Sequence, residues 1–85
     1  MQIQLLYFAQ LRERFGRAGE ALDLPADVVT VADLISHLAA RGGVWQEELA
    51  RAAALRIALN HEMVPADCAL VDAAEVAIFR PVTGG

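Results

Sequence analysis

The chain closes on Gly84-Gly85, directly after Arg80-Pro81-Val82-Thr83. A terminal diglycine bears chemistry because its last group is a carboxylate with no side chain near it. Such a group can be threaded through a narrow channel to a reacting centre, and glycine tolerates positive φ and close approach of a partner's backbone. Two terminal glycines by themselves are as readily a frayed chain end. Here they follow a strand pattern at Glu75–Phe79 and a strand-ending Pro81, which favours a slim, chemically loaded tail. Residues 1–80 are expected to form the folded domain and 81–85 a mobile tail. From Arg80 to Gly85 is six residues, roughly 20 Å when extended, enough to enter a buried site on another subunit.

The remaining reactive side chains make no second candidate. His37, His61 and Cys68 have no ligand spacing, and His61-Glu62-Met63 is not followed by a second histidine, so no metal is expected. Cys68 sits among Ala66, Asp67, Ala69 and Leu70, with no cation nearby to lower its pKa, and is expected to be buried or inert. The glycines at 16, 19, 42 and 43 lack a phosphate-loop pattern and mark helix ends.

Composition bounds the rest. Eighty-five residues, 56% of them hydrophobic, make one domain that folds without staples. A single cysteine excludes an internal disulfide and fits a reducing cytoplasm. No run approaches the ~18–20 apolar residues of a membrane span, and Met1-Gln2-Ile3-Gln4 has no signal-peptide pattern. The formal charge is −4 and all seven basic residues are arginine, without a clustered stripe, so nucleic acid is not an expected partner. An acidic domain is suited to a basic protein surface. Without lysine, only the N-terminal amine could accept an acyl group from another chain.

Periodicity supplies the elements that hold the tail. Gln2–Phe8 alternates as a strand, and Gln10–Phe15 is a short helix ended by Gly16 or Gly19. Glu20–Leu24 is a second strand. Thr30-Val31-Ala32-Asp33 is a capping box, with Val29 and Leu34 at staple positions, opening a helix that stops at Gly42-Gly43. Trp45–Ala54 is a further helical piece with Trp45, Leu49 and Ala52 or Ala53 inward. Leu55–Leu59 is a strand, Asn60-His61-Glu62 a turn into Met63-Val64, Pro65–Asp72 a loop, and Glu75–Phe79 the last strand. A hairpin, a crossing helix and later strands describe an α+β, ubiquitin-like β-grasp fold: a mixed sheet under one main helix, with first and last strands parallel at its centre. If Ile3, Leu5 and Tyr7 face the helix, Leu6 and Phe8 lie on the open face, joined by Phe79 and Met63, with Arg12, Glu13 and Arg80 as a polar rim. Such a contiguous apolar patch is expected to be a partner surface; the alternative is that these residues are scattered or that a one-residue shift of register turns them inward.

These residues resemble the small-subunit family of molybdopterin synthase. Phe8-Ala9-Gln10-Leu11-Arg12-Glu13 is similar to its opening, and Leu24-Pro25 with Thr30-Val31-Ala32-Asp33-Leu34 to its second strand and helix start. Ile57-Ala58-Leu59-Asn60 resembles its third strand, Leu70-Val71-Asp72 and Glu75–Phe79 its approach to the tail, and Pro81-Val82-Thr83-Gly84-Gly85 its terminal signature. The resemblance implies a partner adenylyltransferase, related to ubiquitin-activating enzymes, that activates the terminal carboxylate with ATP and magnesium. It implies a sulfur donor protein that converts the adenylate to a thiocarboxylate. It implies a large subunit, assembled with the carrier as a heterotetramer, where two successive transfers build the dithiolene that holds molybdenum. Gly85 would carry the sulfur, Gly84 give a slim approach, and Pro81, Val82 and Thr83 supply reach. The chain itself would bind no cofactor.

The pattern departs from the family at two places. Asp72-Ala73-Ala74-Glu75 lacks the family's usual glycine, which is expected to alter the turn. Arg80 replaces a usual proline, which is expected to leave the tail's root less stiff. Other readings stay open: a sulfur carrier for thiamine, tRNA thiolation or cysteine synthesis, a ubiquitin-like protein modifier, or a plain interaction domain. Fold alone does not choose among these.

Overall fold

Ile3, Leu5 and Tyr7 are 3%, 0% and 1% exposed while Gln2 and Gln4 face solvent, so the two-residue period of the first strand separates an inner face from an outer one. The computed structural model describes residues 1–51 and 54–81. Its elements are β1 (Gln2–Tyr7), α1 (Ala9–Phe15), β2 (Gly19–Asp23), α2 (Val31–Ala39), α3 (Gly43–Leu49), β3 (Arg56–Leu59), β4 (Glu62–Val64) and β5 (Glu75–Phe79). The strands form one mixed sheet in the order β2-β1-β5-β3-β4. β1 and β5 are parallel, with Leu5 beside Val76 and Tyr7 beside Ile78, and the other pairs are antiparallel. Val31, Leu34, Ile35 and Leu38 of α2 bury against the inner face with Ile57, Val76 and Ile78. This is the expected ubiquitin-like β-grasp architecture. No helix among the described residues is long and apolar enough to cross a membrane.

Several boundaries differ from the sequence reading. Glu62–Val64 is a strand of its own, not the continuation of a turn, and pairs Val64 with Ile57. Asn60 and His61 hold φ of 48° and 73°, two successive left-handed residues as in the tightest hairpin turns. A histidine where glycine is usual hides that signal. The turn is pinned from outside, because the Asn60 N–H donates to the Glu75 carbonyl at 2.8 Å and Asn60 Oδ1 accepts from the Glu75 N–H at 2.9 Å. Helix α3 ends at Leu49, short of the expected Ala54, and Ala52 and Ala53 lie outside the described residues.

The capping box forms as expected: the Asp33 N–H donates to Thr30 Oγ1 at 3.1 Å, and Asp33 Oδ2 accepts from the Thr30 N–H at 3.0 Å. Those backbone contacts hold the Asp33 carboxyl below its usual range, led by the Val29 N–H. Val29, expected as a hydrophobic staple, is instead 48% exposed and contributes its backbone. Its carbonyl accepts from Leu70, while the Val31 and Ala32 N–H groups donate to the carbonyls of Cys68 and Ala66. The loop of residues 65–72 therefore satisfies the first turn of α2, which would otherwise present orphan donors. Cys68 is half-buried there, with Sγ 3.5 Å from the Ala69 carbonyl.

A polar clamp closes the inner face. Tyr7 donates its hydroxyl to Glu20 Oε2 at 2.8 Å, and Arg41 grips the same carboxylate through two nitrogens at 2.9 and 2.8 Å. The Arg41 guanidinium lies 4.3 Å from the Trp45 ring centroid, and Trp45 stacks on Phe15 at 3.9 Å. Burial first, and then the Glu20 hydrogen bond, push the Tyr7 phenol far above its ordinary value. Hydrogen bonding from Arg41 is the largest cause holding Glu20 below the usual carboxylate range. A depressed carboxylate stabilises the fold above its unfolded pKa, and that contribution is lost as pH falls through the folded value. Glu20→Gln should therefore lower the melting temperature at pH 7, and the gap to the unsubstituted chain should close below about pH 4. Thermal melts across that range check it; a gap that is constant with pH overturns the assignment.

Ala73 occupies the turn that leads into β5 with φ 65°. Its N–H donates to the Gln2 carbonyl at 2.7 Å, and the next carbonyl accepts from Gln4 at 2.9 Å. The left-handed conformation is thus kept although the glycine is missing, because the turn is hydrogen-bonded to β1. A Cβ there is strained. Ala73→Gly should stabilise the domain by about 0.5–1 kcal/mol, net of glycine's entropy cost, read as a higher denaturant midpoint with an unchanged slope.

Candidate functional site

The outer face of the sheet carries the apolar surface. Strand registers set Leu6 beside Ala77, Ala77 beside Ala58, and Ala58 beside Met63. These side chains form one row across β1, β5, β3 and β4, opposite in alternation to the buried Leu5, Val76, Ile78 and Ile57. Leu6 and Met63 stand at the two ends, about 14 Å apart across three strand spacings. The row's middle is flat because both residues there are alanine. On β2, Gly19 faces Leu6, and a Cβ at position 19 would fall on the Leu5 carbonyl oxygen.

Above this row stands an aromatic pair. Phe8 follows β1 and Phe79 ends β5, and parallel pairing brings them edge to face with centroids 6.5 Å apart. Phe8 is 45% exposed and Met63 57%. Of the proposed surface residues, the structure thus places Leu6, Phe8, Met63 and Phe79 on one face. Sequence reasoning missed Ala58 and Ala77, which set the flatness of the surface, and Arg56, which pairs with Phe79 across β3 and β5. Cross-strand register is what joins them, and no local pattern encodes it.

Arg12 and Glu13 are exposed on α1, next to Phe8 in sequence. Arg80 corrects the expected rim. The alternation that turns Phe79 outward turns Arg80 to the helix side, where Nη2 donates to the Glu48 carbonyl at 3.2 Å and stands 3.0 Å from Glu48 Oε1. Its side chain is only 18% exposed. The Arg80 side chain at the root of the tail is thus engaged with α3. Val82, Thr83, Gly84 and Gly85 lie outside the described residues.

A concave feature borders this end of β5 through Arg56, the residue opposite Phe79. An apolar cleft of about 590 Å³ runs between α2 and β3, lined by Val31, Ile35, Leu49, Leu55, Ile57 and Val64 among others, and its one charged lining residue is Arg56. Among the described residues, no three His, Cys, Asp or Glu are grouped to hold a metal ion.

Comparison with known proteins accords with this layout. Residues 5–85 match the ThiS family. The chain is 42% identical over 83 residues to the molybdopterin synthase sulfur carrier subunit of Escherichia coli, covering 98% of this chain and 99% of that protein. It is 36% identical, with the same coverage, to the subunit of that name from Haemophilus influenzae. Its fold is that of a chain in the solved complex of subunits 1 and 2 of molybdopterin-converting factor from Helicobacter pylori, with a TM-score of 0.68 over the full length of both chains at 19% identity. A partly exposed aromatic pair, a flat apolar row and a diglycine sequence thus belong to a β-grasp domain that is a member of the ThiS family.

Proposed function

We propose that this chain is the sulfur carrier subunit of a molybdopterin synthase. The observation that carries the reading is positional: one end of β5 bears both the Phe8–Phe79 pair, Phe8 exposed and Phe79 half-buried, and the root of the diglycine tail. Docking and chemistry are thereby joined by a short tether. The nearly full-length likeness to sulfur carrier subunits supports the same assignment.

The chemistry follows from the terminal group. A carboxylate is a poor acyl donor, so a partner adenylyltransferase first joins Gly85 to AMP, using ATP and magnesium and releasing pyrophosphate. Sulfide supplied by a sulfur donor protein then attacks the adenylate carbonyl and expels AMP, leaving a terminal thiocarboxylate. The outer face docks on the large subunit, and the tail delivers its sulfur to a cyclic pyranopterin. Sulfur replaces an oxygen substituent on a pterin side-chain carbon: the C–S bond forms as the C–O bond breaks and that oxygen leaves protonated. Water then cleaves the acyl–sulfur bond, leaving the sulfur on the pterin as a thiolate and Gly85 as a carboxylate. The chain contributes the docking surface and the reacting end, and its partners contribute catalysis. It holds no cofactor of its own and works in the cytoplasm. Pro81, Val82 and Thr83 give the tail its reach, and Gly84 gives it a narrow profile.

Two sets of measurements test this. Incubation with ATP, a sulfur source and the cognate adenylyltransferase should raise the intact mass by about 16 Da, one oxygen exchanged for sulfur at the activated carboxylate. Deleting Gly85 withdraws the carboxylate by roughly 3.3–3.6 Å, and a misplacement of even about 1 Å can cost a hundredfold in a positioned reaction. The deletion should abolish single-turnover conversion of pyranopterin while melting temperature and large-subunit affinity persist. Normal turnover by the shortened chain would sink the carrier reading, and amide linkage of the chain to target lysines would point to a modifier.

Docking is tested separately. Phe8→Glu or Phe79→Glu should weaken binding to the large subunit by roughly 2 kcal/mol or more, about thirtyfold, because a charge at a desolvated contact is penalised. The melting temperature should change far less, since Phe8 is already 45% exposed. Titration and thermal melts read the two effects. Lost stability with unchanged affinity would place the aromatic pair in a structural role.

A further inference from the structure

Glu48 is the one buried charged residue among the described residues, 8% exposed near the end of α3. It is held from two sides. Arg80, at the end of β5, bonds its carbonyl at 3.2 Å and faces its Oε1 at 3.0 Å, while Arg14 of α1 brings Nε to 3.4 Å from Oε2. Arg14 also reaches the neighbouring Glu47 at 3.4 Å. A strand end and two helices thus converge on one carboxylate.

The arrangement is poorly explained as a device for stability. Desolvating charges is expensive, and a buried ion pair often does no better than apolar residues of similar size. Two of its atoms, Glu48 Oε1 and Arg80 Nε, have no aligned hydrogen bond. What the pair does accomplish is directional. Arg80 is the last residue before Pro81, whose ring fixes its own φ. Clamping the Arg80 side chain to α3 constrains the backbone immediately upstream of that proline. We infer that Glu48 and Arg80 are positioning residues: their latch sets the direction in which the C-terminal tail leaves β5, and so where the terminal carboxylate arrives in a partner's channel.

The length of the tail makes this direction consequential. Fully extended, the five residues from Pro81 to Gly85 would span about 17 Å, so a swing of about 30° at the root would displace the end by up to about 9 Å. Binding to the partner's channel can correct such a swing only by ordering a loose root, which slows delivery.

The inference rests on the carrier reading and is tested with the full chain in thiocarboxylate form and a saturating large subunit. Arg80→Ala and Glu48→Gln should slow single-turnover sulfur transfer on the order of tenfold, with the dissociation constant for the large subunit unchanged, because Phe8 and Phe79 are untouched. Arg80→Pro removes the ion pair but restrains the root covalently, and should recover most of the rate. That rescue is a result a purely structural ion pair would not produce. Wild-type transfer by Arg80→Ala, or a rate for Arg80→Pro as low as for Arg80→Ala, overturns the latch. Thermal melts show whether each variant is folded, and Glu48→Gln keeps the side chain's shape where Arg80→Ala does not. A second readout needs no sulfur chemistry: ¹⁵N relaxation at Val82 and Thr83 should report faster motion in Arg80→Ala than in the unsubstituted chain or in Arg80→Pro. That difference in relaxation, found for a chain whose unsubstituted form transfers no sulfur, would keep the latch and remove the carrier reading; equal relaxation would remove the latch.

Discussion

Parallel pairing of β1 with β5 couples the two ends of the chain, and each later property of the domain inherits its register. With Leu5 beside Val76 and Tyr7 beside Ile78, the inner face packs these side chains into the core, and Leu6 and Ala77 are left on the other side. A slip by one residue would exchange the two sets, burying Phe79 and exposing Ile78. The burial of Leu5, Tyr7, Val76 and Ile78, each at or below 1% exposure, is what forbids that slip. Because the pairing is parallel, Phe8 and Phe79 leave the sheet in the same direction and meet beyond it.

The two faces then take different chemistry. Toward the helices, apolar packing is edged by charged clusters of opposite sign: Glu20 between Arg17 and Arg41, and Glu48 between Arg14 and Arg80. Each cluster links elements distant in sequence, and an arginine there can also serve as a packing body, as Arg41 does over Trp45. Toward solvent, the sheet is flat and apolar where small Ala58 and Ala77 lie between Leu6 and Met63. A flat apolar face with an aromatic edge has the character of a protein-docking surface. Arg80 stands at the boundary of these two regimes, its neighbour Phe79 outward and its own guanidinium inward.

Features confined to a few adjacent residues are legible in the amino-acid sequence by itself. The alternation of Gln2–Tyr7 and Glu75–Phe79, the Thr30–Asp33 capping box and the left-handed Gly16 that ends α1 each depend on side chains within about four positions of one another. These local features mark the strands, the inner face of β1 and the start of α2, whereas a reacting role for Gly85 follows from family resemblance. Tertiary structure decides the rest. β4 is hidden in the sequence because His61 holds a turn conformation that glycine usually marks, supported by Asn60 bonding to Glu75. Arg80 reads as a rim residue until its partner is known, and that partner, Glu48, lies 32 positions away. The roles of Ala58 and Ala77 follow only from cross-strand neighbours. Period and capping are set by the covalent chain over a turn or a strand, whereas register and ion-pair choice are settled by which distant segments bury together, and that is a property of the whole core.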